Sequence, residues 1–480
     1  MENINELEPK RVFHYFYEIS KIPRGSGNME KIADYCMEFA KEHSLLAVRD
    51  DANNVIIYKS GAKGYENSET VILQGHLDMV CQKDIDSKIC FETDGITLLK
   101  DQDYIVADGT TLGADNGIAV AIILAILEDD TLSHPPIEAV FTTDEEIGML
   151  GAIKLDFTLL KGKKMINLDA EETKNVTVSC AGGSDFRMNI PIKREKVSKS
   201  LVQLEISGLL GGHSGMEINS NRVNSNILMA RVLNSLKKDV DFDIISIDGG
   251  DKGNAIPLYT KARLVASDKN KLNRTAQNIL NSIKTEISCF EPNFEWNISI
   301  IDSGEYEAIK SPDTNEIIYM LNMAPNGVLA MSSNIDNLVE TSLNLGILKT
   351  DEEEIEMLFT LRSSKKSALL ALEEKMQTYS ECVPCKTSIS GQYPPWEFKD
   401  GSVLQKIYKE KHLKKFGFPC EITAIHAGLE CGVFASKIDD LDCIAFGPDT
   451  YDVHTTKERL SIPSTKHTYE LVTEILRELK

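Results

Sequence analysis

Val71-Ile72-Leu73-Gln74-Gly75-His76-Leu77-Asp78 runs from three apolar residues straight into a histidine and an aspartate. A short apolar run that ends in polar, chemically capable side chains reads as a buried strand with chemistry at its carboxyl end. The pattern recurs three times. Ile137 to Phe141 leads into Asp144-Glu145-Glu146, Met165 to Leu168 into Asp169-Ala170-Glu171-Glu172, and Cys443 to Phe446 into the stretch Asp449 to His454. The first three strands are separated by stretches that include an apolar helical run, Gly117 to Leu127. This alternation predicts an α/β sheet covered on both faces, in which ligands bind outside the carboxyl ends of the strands. Four strands then aim metal-type side chains at one rim.

Before these strands, residues 7–20 and 28–44 read as amphipathic helices joined by Pro23-Arg24-Gly25-Ser26-Gly27. After them, the middle of the chain changes character. Strands are expected at 200–208, 241–248, 258–267 and 293–302, with helices at 221–237 and 270–287, which together resemble a βαββαβ unit. A less regular set follows, with strands near 339–348, 355–362 and 386–390 and a helix at 365–380. The first pattern resumes after about residue 395. The expectation is a discontinuous catalytic domain, 1–186 and 396–480, with an inserted α+β domain at 187–395 that has room for two βαββαβ-like units.

The 480 residues carry 74 acids against 52 bases, a net charge of −22. No basic face is legible, which argues against a nucleic-acid partner, and the acidity works against anionic membranes. No apolar stretch reaches the ~18 residues of a membrane span. The N-terminal Met1-Glu2-Asn3-Ile4-Asn5-Glu6 is polar and acidic, unlike a secretion signal. Ten scattered cysteines form no paired framework, so a reducing, cytoplasmic setting is expected. Cys382-Val383-Pro384-Cys385 has no second pair to complete a zinc site and reads as two ordinary thiols at a helix-to-strand junction.

Taken one at a time, the rim residues have plain readings: His76 and Asp78 a surface turn, Asp115 a helix N-cap, Glu145 and Glu146 a solvated loop. Taken together they form a donor set. His76, Asp115 and Asp169 suit one zinc-type ion, and Asp115, Glu146 and His454 a second. Asp78 would orient the His76 ring. Two ions ~3.5–4 Å apart acidify water and polarise a carbonyl. Glu145 is left over to take the water's proton and pass it to a leaving amine.

These residues, in this order, resemble the co-catalytic zinc peptidases, and among them the aminoacyl-histidine dipeptidase group. The resemblance covers essentially the whole chain. It rests on Ile22-Pro23-Arg24-Gly25-Ser26-Gly27, Gln74-Gly75-His76-Leu77-Asp78-Met79-Val80, Leu112-Gly113-Ala114-Asp115-Asn116-Gly117, Thr143-Asp144-Glu145-Glu146-Ile147-Gly148, Asn167-Leu168-Asp169 and His426-Ala427-Gly428-Leu429-Glu430-Cys431-Gly432. Asn116 after the bridging aspartate departs from many relatives and narrows the match to that group. The resemblance implies a mixed-sheet catalytic domain with a lid that contributes substrate contacts. His213, in Gly211-Gly212-His213-Ser214-Gly215, would help polarise the scissile carbonyl. Asn254 would hold substrate, Arg362 would clamp its C-terminal carboxylate through a planar fork, and Gly428 would offer a backbone contact. Because the inserted domain is long, His213 is expected to serve its own chain. The implied activity is hydrolysis of dipeptides, the Xaa-His type included, by water activated on two zinc ions, with manganese or cobalt as alternatives. An N-acyl amino acid amidohydrolase or a tripeptide aminopeptidase fits the same donor set, whereas a non-catalytic binding protein fits poorly with a complete one. Small peptides are the expected partners, and a homodimer stays open.

Overall fold

The computed structural model describes residues 4–480. Met1, Glu2 and Asn3, half of the polar N-terminal stretch, lie outside the described residues. The chain forms two compact units. One comprises residues 1–180, 396–424 and 429–480, and the other 181–395 and 425–428.

The first unit is built on eight strands: β1 (Leu46–Arg49), β2 (Val55–Lys59), β3 (Val71–His76), β4 (Ile137–Thr142), β5 (Lys164–Asn167), β6 (Asn175–Cys180), β7 (Glu421–Ile425) and β8 (Asp442–Ala445). Their order is β1-β2-β4-β3-β5-β8-β6-β7. The central four, β4-β3-β5-β8, are mutually parallel. The pairs β1–β2, β2–β4 and β8–β6 are antiparallel, so the sheet is mixed. Every residue of β3, β4 and β8 is buried, as expected for strands covered on both faces. Because the four strands run in one direction, their carboxyl ends share one edge.

The apolar run became the helix Ala114–Glu128, buried from Asn116 to Leu127 and packed on β3 and on the helix Lys10–Ser20. An all-round apolar helix belongs in a core. Its last turn needs partners for orphan carbonyls, and the buried Lys59 ammonium supplies them, donating to Leu127 O at 2.8 Å, Asp129 O at 3.0 Å and Ile126 O at 3.4 Å. The plain reading of Asp115 as a helix cap does not hold. Residues 115 and 116 have non-helical backbone angles, so Asp115 sits in a turn ahead of the regular helix, with its carboxylate oxygens against His76 and His454.

The second unit is built on a nine-stranded sheet with a large hydrophobic core that includes Phe186, Met229, Phe242, Leu280, Ile318, Phe359 and Met376 and a smaller cluster of Leu201, Ile245, Val265 and Ala308. Arg194–Ser207, Ser225–Leu236, Phe242–Gly249, Thr260–Ala266, Lys269–Ile287 and Glu295–Ile309 follow one another as strand, helix, strand, strand, helix, strand. The same succession is made by Gly182–Pro191, Ser311–Met323, Val339–Thr350, Glu354–Ser363, Lys366–Ser380 and Lys386–Tyr393. In both, the sheet order is fourth, first, third, second strand. The first set is therefore nested between the first strand and first helix of the second set. Their second strands meet edge to edge at Gly249 and Leu348. The strand Gly182–Pro191 and the helix Ser311–Met323 were not foreseen. Cys382 and Cys385 lie as free thiols between a helix and a strand. Among the described residues no helix is long and apolar enough to cross a membrane.

Candidate functional site

The shared edge of the four parallel strands gathers the expected residues of the first unit. His76 ends β3 and is buried. Its Nε2 lies 3.2 Å from Asp115 Oδ1 and 3.5 Å from Asp169 Oδ1. His454 Nε2 lies 3.1 Å from Asp115 Oδ2 and 3.1 Å from Glu146 Oε1. Each oxygen of Asp115 thus faces a different histidine. Donor atoms of His76, Asp115 and Glu146 all fall within 4.8 Å of one another. Asp78 is fully buried behind them. Its Oδ1 is 3.3 Å from His76 Nδ1, and its carboxylate accepts from the Glu145 and Glu146 amides at 3.0 and 3.2 Å and from the Ser26 hydroxyl at 2.8 Å. One carboxylate therefore orients the ring and also fixes the turn that carries Glu145.

The electrostatics carry the mark of a cation site. Burial pushes Glu145 well above the ordinary carboxylate range, and Asp169 and Glu146 move up for the same reason, with neighbouring carboxylates adding to it. Burial works against a charged His76, yet Asp169, Asp115 and Asp78 outweigh it and raise its pKa well above the usual value. Hydrogen bonds to Asp115 and Glu146 lift His454 to about 10. An excess of buried negative charge with two imidazoles among it is what nitrogen and oxygen ligands of a divalent cation look like before the cation is counted. The donor set of two imidazoles and three carboxylates fits zinc, manganese or cobalt.

Two acids close to this centre were not singled out in the sequence. Glu430 is fully buried, accepts from Gln74 and from the Thr142 hydroxyl at 2.6 Å, and leaves Oε1 without a partner. Burial, with Asp169 and Asp78 nearby, pushes it up to about 7. Glu458 follows His454 by four residues and is buried against the Asp115 turn. Glu430, between Leu429 and Cys431 with Gly428 and Gly432 beyond, is a lone charge among apolar and glycine neighbours, whereas Glu458, between Lys457 and Arg459, carries no such signal.

His213, Asn254, Arg362 and Gly428 all fall in the second unit. The short pairing of Gly212–His213 with Ala255–Ile256 sets His213 beside Asn254, whose carbonyl accepts from the Ser214 amide at 2.9 Å. His213 Nδ1 accepts from the Gly215 and Met216 amides at 3.2 and 3.1 Å. In the neutral ring the proton then sits on Nε2, leaving that nitrogen as a donor. Burial, then the Arg362 charge, lowers its pKa and favours the neutral form. Arg362 is buried, with Nη1 donating to Tyr393 at 2.8 Å and Nε unpartnered. His426 opens the stretch that runs to Gly432. It is buried, bonded through Nε2 to Ser342 at 2.7 Å, unpartnered at Nδ1, and held down to about 3 by burial, Arg362 and His213. The unpaired Nε donor of Arg362 and the unpaired ring nitrogen of His426 are buried groups that a polar ligand would satisfy.

Known proteins resemble this chain along its whole length. The chain is 35% identical to the cytosol non-specific dipeptidase of Escherichia coli, over 100% of this chain and 99% of that protein. The crystal structure of an aminoacylhistidine dipeptidase from Vibrio alginolyticus superposes with a TM-score of 0.93 at 33% identity, covering 99% of this chain and 98% of that one. An aminopeptidase PepT from Bacillus cereus shares the fold at a TM-score of 0.57 and 15% identity, covering 98% and 99% of the two chains. The profile of peptidase family M20/M25/M40 matches residues 72–478, and the chain belongs to that family.

Proposed function

We propose that the chain is a dipeptidase whose first unit holds two zinc ions, one by His76, Asp115 and Asp169 and the other by Asp115, Glu146 and His454. When bound, such a pair acidifies water and polarises the scissile carbonyl. The observation that carries the reading is the Asp115 carboxylate, with one oxygen toward each histidine. Glu145 is the general base. Its raised pKa suits a group that must take a proton from the attacking water and give it to the leaving amine as the C–N bond breaks. Asp78 keeps the His76 ring and the Glu145 turn in place. His213 donates from Nε2 to the substrate carbonyl oxygen. Arg362 takes the C-terminal carboxylate, with Asn254 and the Gly428 backbone as further substrate contacts. The full-length likeness to two proteins named as dipeptidases supports dipeptides as substrates. Ten free cysteines support a reducing, cytoplasmic setting.

The test is Glu145→Gln with metal content measured on the same sample. The amide keeps the shape but cannot accept the proton. The variant should retain its metal and lose about 10²- to 10⁴-fold in kcat. Near-normal turnover at full metal content would remove Glu145 from the mechanism.

A further inference from the structure

His454 sits in a costly backbone conformation. Its φ is +63°, and that of Asp452 is +55°, values that non-glycine residues seldom adopt. A compact turn over-determines it: Thr455 Oγ1 donates to Asp452 O at 2.7 Å, the Lys457 amide to Thr455 Oγ1 at 3.1 Å, and the Glu458 amide to Thr455 O at 3.2 Å. The turn ends in Glu458, whose carboxylate reaches back across the chain. Glu458 Oε2 accepts from the Leu112 and Gly113 amides at 2.7 and 3.0 Å. Its Oε1 accepts from the Ala114 and Asp115 amides at 2.8 and 3.4 Å. Four successive backbone donors thus converge on one buried carboxylate.

The opposite side of the Asp115 turn is held by Arg24. This fully buried guanidinium donates to Gly113 O, to Leu77 O at 3.0 Å and to Asp78 O at 3.2 Å. Side chains at Gly113 or Gly117 would strike it, at 2.6 and 2.4 Å from Nη2. Amides go to the acid and carbonyls to the base, so one Arg–Glu pair knits the loops that carry His76, Asp115 and His454.

We propose that Glu458 is a positioning residue that locks the His454 turn to the Asp115 turn, so that the cation site of Asp115, Glu146 and His454 is formed before a cation arrives. The inference rests on the two-cation reading above. Glutamine at 458 would keep the size but present its NH2 to two backbone N–H groups, which repels where the carboxylate accepts. Aspartate would keep the charge but fall one methylene short of spanning four donors.

The experiment titrates zinc into metal-stripped wild type and Glu458→Gln by calorimetry, alongside thermal unfolding of the metal-free forms. Wild type should take up two ions. The variant, with a metal-free Tm within a few degrees of wild type, should lose 10- to 100-fold affinity in the weaker of the two steps, the range about expected when a supporting partner of a metal ligand is removed. Glu458→Asp should fall between the two. Equal affinities in wild type and Glu458→Gln would overturn the proposal, as would a uniform loss in both steps accompanied by a collapsed Tm. Fewer than two ions in wild type would refute the two-cation reading and the inference with it. Amide exchange on metal-free wild type decides the matter without a variant. Residues 112–115 should already be protected, and zinc should add little. Free exchange there until zinc is added would overturn a preformed site.

Discussion

At the scale of the residue, the site depends on carboxylates used in different ways. Asp115 faces two histidines, Asp78 serves a ring and two amides, and burial raises the pKa of Glu145. The strand-end candidates were legible because a strand that stops being apolar and becomes His-x-Asp or Asp-Glu-Glu has little reason to do so except chemistry. Glu458 and Glu430 were not legible. Their partners are backbone amides of 112–115, Gln74 and Thr142, more than 280 positions away in sequence, and neither local pattern nor spacing reports such contacts. The unpaired Nδ1 of His426 is visible only with the fold in hand. Arg362 supports a prediction at this scale. Its Nη1 is fixed by Tyr393, so the guanidinium is set in place before substrate binds. Arg362→Ala should raise KM at least tenfold for dipeptides and hardly at all for C-terminally amidated analogues. Equal losses on both substrates in steady-state kinetics would dismiss the carboxylate clamp.

At the scale of the element, the four parallel strands followed from their apolar runs, and the direction they share explains why their ends meet. The nested arrangement of the second unit was harder to read. Gly182–Pro191 opens with Gly-Gly-Ser-Asp, which reads as loop, although the buried alternation of Phe186, Met188 and Ile190 was present as a signal. Its neighbours in the sheet begin at residue 354, so the pairing is invisible to any local window. This strand makes the outer βαββαβ set complete, and the two sets then pair within one chain. That arrangement motivates the proposal that His213 serves its own chain. Mixing Glu145→Gln chains with His213→Ala chains should restore no activity above that of the separate variants, and substantial recovery would mean that the histidine is shared between chains. The helix Ala114–Glu128 offers a second test. Lys59 supplies the donors at its C-terminal end, and a charged donor of this kind contributes about 1.5–3 kcal/mol. Lys59→Met should lower the urea midpoint correspondingly, whereas an unchanged midpoint would show that the last turn finds other donors.

At the scale of the whole molecule, the chain pairs a mixed-sheet unit rich in metal-type ligands with a second unit that carries buried, unpaired polar groups suited to a polar ligand. The proposed general base lies in the first unit and the proposed carboxylate clamp in the second, so the test uses the full chain. The most direct measurement is hydrolysis by metal-analysed full-length protein of a panel that includes Xaa-His and other dipeptides, tripeptides, and N-acetyl amino acids. The account predicts two zinc ions per chain and kcat/KM values for dipeptides at least a hundredfold above those for the other two classes, with activity lost on chelation and regained with zinc. Faster turnover of N-acetyl amino acids or tripeptides, or full dipeptide hydrolysis by protein stripped of metal, would contradict it.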